Sequence, residues 1–138
     1  MKIVLVSHGT MCIGMKDSFE MIAGNNPNIH CVSLNEGIHE FKNNFLNLMD
    51  QICPNEQVLI FSDIQGGTPF NEAYAYYLEN PNSLRLIAGM NLPMLIEVAL
   101  QMDNLSLDEA YTLALTTGKE AVTGISLNNE EVEDELEF

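Results

Sequence analysis

The sequence predicts an α/β protein: an open, doubly wound parallel sheet of four strands flanked by helices, with a short C-terminal edge strand. Three observations predict it. Short β-branched runs alternate with stretches of helical period, the signature of βαβ units. The strand runs, such as Ile3–Val6 and Val58–Phe61, are continuously apolar, which calls for burial on both sheet faces. The 138 residues are one domain's worth, and with 46% hydrophobic side chains they can build a core without a disulfide or metal staple.

Strand one is Ile3–Ser7. A helix from about Met15 to Ala23 follows and stops at the breakers Gly24-Asn25-Asn26-Pro27. Ile29–Leu34 is strand two. Ile38, Phe41, Phe45, Leu48, Met49 and Ile52 then share one face of a second helix, which Pro54-Asn55 ends. Gln57–Ser62 is strand three and Pro69–Leu78 helix three, closed by the turn Asn80-Pro81-Asn82-Ser83. Leu84–Ala88 is strand four and Pro93–Met102 helix four. Ser106-Leu107-Asp108-Glu109 has the form of a capping box and opens a last helix to about Ala121. Val122–Leu127 is the short terminal strand. With no internal repeat and no linker, residues 1–128 form one unit and 129–138 an acidic tail.

Charge narrows the function classes. Twenty acidic against five basic residues give −15, and six of the acids crowd the last nine positions. Setting those six aside still leaves −9. Such a chain repels nucleic acid and anionic membranes. The tail reads as a solvated end. No apolar run approaches the roughly 20 residues of a membrane span, and the N-terminus lacks the long apolar region and cleavage site of a secretory signal. Cys12, Cys31 and Cys53 are odd in number and far apart, a pattern suited to a reducing cytoplasm.

In doubly wound sheets ligands bind beyond the carboxyl ends of the strands, near a switch in strand order. Strand one ends in Ser7-His8-Gly9-Thr10, strand three in Ser62-Asp63-Ile64-Gln65-Gly66-Gly67-Thr68-Pro69 and strand four in Gly89-Met90-Asn91-Leu92-Pro93. Gly66 and Gly67 let a ligand approach the main chain. Thr68 before Pro69 has the form of an N-cap and first helical residue, and a helix start after a glycine loop offers free N–H groups to an anion. In a chain without a basic cluster, backbone is the phosphate cradle. If strands one and three are neighbours, Asp63 can accept Nδ1–H of His8 and leave Nε2 with an outward lone pair. An oriented, neutral imidazole beside an anion cradle is a nucleophile suited to phosphoryl capture.

Each piece alone has a plainer meaning: a structural histidine, a turn and cap, a carboxylate bonding backbone. Their convergence at the end of one sheet favours a site. His30 and His39 lack any acidic or glycine-rich setting and read as structural or exposed. Cys12, four residues beyond His8, permits a Cys–His nucleophile or a loose metal site with Asp63, in neither case with recognised ligand spacing. Met11, Met15, Met90, Met94 and Met102 read mostly as packing residues, with Met90 and Met94 also candidates for an apolar rim facing a docking partner.

With SHGT at 7–10, SFEMIAG at 18–24, FSDIQGGTPFNEA at 61–73 and AGMNLPMLIE at 88–97, the chain resembles the enzyme IIA domain of the mannose family of the bacterial phosphoenolpyruvate-dependent sugar phosphotransferase system (PTS). The resemblance runs from Lys2 to about Leu127. It implies a cytoplasmic phosphotransferase in which His8 accepts phosphoryl from phospho-HPr and passes it to enzyme IIB, serving the membrane subunits IIC and IID indirectly. It implies that Asp63 orients His8 and that Thr68 bonds the phosphoryl oxygens with the amides of Gly66 and Gly67. No metal or organic cofactor is implied. Dimers of the family exchange a terminal strand, which here is Val122–Leu127. Gln65 stands where relatives often carry a large apolar or aromatic residue, and the acidic tail stands where some continue into enzyme IIB. The alternatives are the phosphocarrier subunit of a dihydroxyacetone kinase system, which shares the SH motif, and a regulatory IIA-like module. GGTPFN favours the sugar system over the first, and the lack of any DNA-binding or ATPase segment counts against the second. The sugar itself is not written in this domain.

Overall fold

The computed structural model describes residues 1–127. Strand and helix alternate from the first residues: β1 (Lys2–His8), α1 (Met11–Ala23), β2 (Ile29–Leu34), α2 (Ile38–Ile52), β3 (Val58–Ser62), α3 (Gly67–Glu79), β4 (Leu84–Ala88), α4 (Leu92–Gln101), a 3-10 turn (Met102–Asn104) and α5 (Leu107–Glu120). The strands form one parallel sheet in the order β2-β1-β3-β4. This is the four-stranded doubly wound fold expected, and every strand boundary agrees with expectation to within one residue.

Side-chain alternation along each strand divides the core into two layers. Ile3 and Leu5 of β1, with Leu59 and Phe61 of β3, pack under α1, α4 and α5 against Phe19, Leu95, Val98 and Ala110. Val4 and Val6, with Val58 and Ile60, pack on the other face against Phe41, Phe45 and Met49 of α2 and Ala73 of α3. Phe41 and Phe45, stacked with ring centroids 6.0 Å apart, hold α2 down, and burying each ring stabilises by about 1.5–3 kcal/mol. Both central strands are wholly buried through their apolar runs, which is why those runs do not alternate in polarity. Among the described residues no helix is long and apolar enough to cross a membrane.

Several expectations are corrected at helix ends. α1 begins at Met11, four residues before the expected Met15, because the chain turns at Gly9 (φ +57°) and enters the helix at once. α3 begins at Gly67, with Gly66 as its cap, so Thr68 is a first-turn residue and not the N-cap. Ile38 heads α2 but is exposed, outside that helix's buried stripe. Met90 and Met94 are buried in the core and form no docking rim. The capping box at Ser106–Glu109 is present in full. Val122–Leu127 forms no strand within the single chain, where Val122, Ile125 and Leu127 are all exposed. A strand needs a neighbouring ladder, and this chain alone gives the segment none. The acidic tail, 129–138, lies wholly outside the described residues, which end at 127.

The order of strands sets the position of a site. From β1 the chain turns onto the α1 face, and from its neighbour β3 onto the opposite, α3 face. The two loops part above the carboxyl ends of β1 and β3 and leave a crevice at the switch point.

Candidate functional site

The crevice is built from the last residues of β1 and the loop after β3. Val6 pairs with Ser62 at the end of the β1–β3 ladder, and the Asp63 amide donates to the Val6 carbonyl at 3.2 Å. That register brings Asp63 alongside His8. One carboxylate oxygen, Oδ2, meets two groups of His8, accepting from its backbone N–H at 2.8 Å and lying 2.8 Å from ring Nδ1. The other, Oδ1, accepts the Ile64 amide at 2.9 Å. The imidazole is thus fixed relative to its own main chain.

Burial works against ionisation of Asp63, whose side chain is only 9% exposed. The amide and ring of His8 and the amide of Ile64 outweigh that penalty and hold the carboxyl below its ordinary 3.8. An ionised Asp63 requires the proton on Nδ1 and leaves the lone pair on Nε2. The His8 side chain is 47% exposed, so a partner can reach that nitrogen.

Alternation aims His8 toward the α3 face, and there it meets the glycine loop. A Cβ built on Gly67 would lie 2.9 Å from His8 Cε1 and 3.2 Å from Nε2. Gly67 also has φ +80°, a conformation that L side chains rarely adopt. Glycine is required twice over, for the turn and for the ring. Of the four amide positions a helix leaves unpaired at its start, Gly66, Gly67 and Thr68 carry N–H groups and Pro69 has none. The positive end of the α3 dipole adds to them. All five expected site residues therefore gather at one place: His8, Asp63, Gly66, Gly67 and Thr68.

Cys12 is excluded from it. It is wholly buried on the α1 face, where the Cys31 thiol donates to its carbonyl at 3.3 Å. The Cys31 thiol also draws the Cys12 thiol below its ordinary value, against burial. Among the described residues no group of three or more His, Cys, Asp or Glu is placed to hold a metal ion. His39 is exposed, and half-buried His30 has its basicity lowered by burial and the nearby lysines, Lys2 before Lys16.

Sequence reasoning placed Ser7 and Ser62 at the strand ends but gave neither a role. Both are fully buried, one at the end of each central strand. Ser62 Oγ donates to the Ile64 carbonyl at 3.0 Å and lies 3.3 Å from Asp63 Oδ1, closing the loop that presents the carboxylate. The available signal was a serine ending an otherwise apolar run, just before each loop.

A family model described as the PTS system fructose IIA component, of the EIIA-man type, matches residues 2–115. The chain belongs to this enzyme IIA family. It is 30% identical to the sorbose-specific EIIA component of Lacticaseibacillus casei over 128 residues, 91% of each chain. It is 32% identical to the fructose-specific EIIA component of Bacillus subtilis, over 78% of this chain and 74% of that one. Among solved structures it resembles the mannose/sorbose-specific IIA subunit from Enterococcus faecalis, with TM-score 0.82 and 31% identity over 93% of this chain and 96% of the other. Enzyme IIA components are phosphotransferases that relay phosphohistidine, and the family interacts with HPr and enzyme IIB. Membership thus establishes phosphoryl transfer in a sugar PTS as the class of function and does not favour the dihydroxyacetone-kinase or regulatory alternatives.

Proposed function

We propose that His8 is the phosphoryl acceptor of this enzyme IIA, and that Nε2 is the atom phosphorylated. The observation that carries the proposal is the pairing of Nδ1 with Asp63 at 2.8 Å while Nε2 lies against the start of α3. Phospho-HPr docks over the crevice with its phosphoryl group in line between its own ring and Nε2. The Nε2–P bond forms as the donor's N–P bond breaks, and the Nδ1 proton stays in its bond to Asp63. Positive charge developing on the His8 ring is met by the carboxylate. The phosphoryl oxygens are held by the amides of Gly66, Gly67 and Thr68 and by the Thr68 hydroxyl. Transfer to a histidine of enzyme IIB is the same step reversed. Positioning and fixed dipoles carry most of such catalysis, and no cofactor takes part.

Residues 1–128 act as the IIA domain in the cytoplasm, supplying a IIB that serves IIC and IID, and 129–138 extend from it as an acidic tail. Two copies pair by exchanging 122–127 along a free sheet edge. The three exposed apolar side chains of that segment support the exchange, because a partner's ladder would cover them. Intact-mass analysis after incubation with phosphoenolpyruvate, enzyme I and HPr tests the central step. One acid-labile phosphoryl group is expected on the wild type and none on His8→Ala. A wild type left unmodified beside demonstrably phosphorylated HPr removes His8 from the role.

A further inference from the structure

We infer that Ser7 is a positioning residue for the reaction at His8, its buried hydroxyl locking the turn that carries the imidazole. This rests on His8 being the acceptor. The sheet's alternation sends neighbouring side chains to opposite faces, His8 toward α3 and Ser7 toward α1. Beneath α1, Ser7 Oγ accepts the Cys12 amide at 2.9 Å and donates to the Gly9 carbonyl at 3.2 Å.

Those two bonds bracket the turn. Thr10, the residue in the N-cap position of α1, makes no side-chain cap, so Ser7 supplies the capping oxygen from before the turn. Gly9 is held from both sides, its amide by the Leu34 carbonyl at 2.8 Å and its carbonyl by Ser7. His8 lies between Ser7 and Gly9, and its amide must reach Asp63 Oδ2 for the ring to be fixed. The backbone of His8 is thereby tied to β2 through Gly9, to α1 through Ser7 and to the β3 loop through Asp63.

Removing the hydroxyl leaves the buried Cys12 amide without its acceptor, a group that must then find water or move. Either response loosens the Gly9 turn and with it the alignment of the His8 amide and Nδ1 on one carboxylate oxygen. The chemistry at Nε2 is then less well aimed, and misplacement of this kind costs about tenfold to a hundredfold in rate.

The test compares wild type with Ser7→Ala and Ser7→Thr, which restores a hydroxyl. Ser7→Cys, which exchanges the hydroxyl for a larger and much weaker hydrogen-bonding thiol, serves in place of Ser7→Ala should that variant not fold. Three quantities are read: single-turnover phosphoryl capture from phospho-HPr per folded molecule, melting temperature, and the His8 tautomer ratio from ring 15N shifts. Slower capture and a His8 spread over both tautomers in Ser7→Ala, both recovered in Ser7→Thr, are expected. A Ser7→Ala protein with wild-type capture and tautomer overturns the inference. So does one that only melts lower, which would leave Ser7 a structural residue. The tautomer is measured without any donor, so it decides the role of Ser7 even if wild-type His8 proves not to be phosphorylated.

Discussion

At the residue scale the proposed chemistry rests on two side chains and one missing side chain. Gly67 leaves open the space where a methyl group would meet the edge of the His8 ring that carries Nε2. Gly67→Ala therefore places carbon against the reacting nitrogen, and at φ +80° it also strains the backbone by about 1–2 kcal/mol. We expect phosphoryl capture to fall at least ~100-fold, far more than the change in melting temperature explains. Rapid-quench measurement of capture beside a melting curve checks this. Asp63→Asn gives a pH-dependent counterpart. Because the folded state holds the Asp63 carboxyl below its ordinary 3.8, the stabilisation is fully present above about pH 4 and is lost as pH falls through the lowered value. The gap in melting temperature between wild type and Asp63→Asn should narrow on acidification in that window. A gap that stays constant down to pH 2 contradicts the hydrogen-bonded, ionised Asp63 carboxylate. At neutral pH the same variant loses the fixed tautomer and, with the ring less well aimed, about 100-fold in capture.

At the scale of elements, what the sequence disclosed depended on whether the signal was local. Strands β1 and β3 were legible because burial on both faces leaves an unbroken apolar run. The capping box of α5 was legible because its two partners sit three residues apart, and both bonds form at 2.9 and 3.1 Å. Removing it with Ser106→Ala should cost about 1 kcal/mol and a few degrees of melting temperature, with capture per folded molecule unchanged. A fall in capture would mean that α5 communicates with the crevice. The starts of α1 and α3 were not legible. The cap of α1 comes from Ser7, on the far side of a turn and five residues before the amide it satisfies. In α3 the Thr-Pro pair imitates a helix start, but consecutive glycines at φ +84° and +80° have already turned the chain into the helix. The site residues themselves were legible, since strand order alone decides whether His8 and Asp63 meet. The contact between Gly67 and the ring was not, because it depends on which face of β1 carries the histidine.

At the scale of the whole molecule, the four-stranded sheet explains why one loop carries His8, the proposed nucleophile, and the neighbouring loop carries both Asp63 and the proposed anion cradle. The chain leaves β1 toward β2 and its neighbour β3 toward β4, in opposite directions along the sheet, so the two loops part over a shared crevice. The same scale holds the proposed dimer. Truncation after Ala121 should leave the described helices intact and shift the protein from dimer to monomer in sedimentation equilibrium. A full-length protein that sediments as a monomer at micromolar concentration contradicts strand exchange. The most direct measurement of the central claim is the 15N–31P coupling of uniformly 15N-labelled protein after phosphorylation by phospho-HPr. A single phosphohistidine, His8, is expected, with phosphorus coupled to Nε2 and the Nδ1 proton retained. Coupling to Nδ1, or to another histidine, would contradict it.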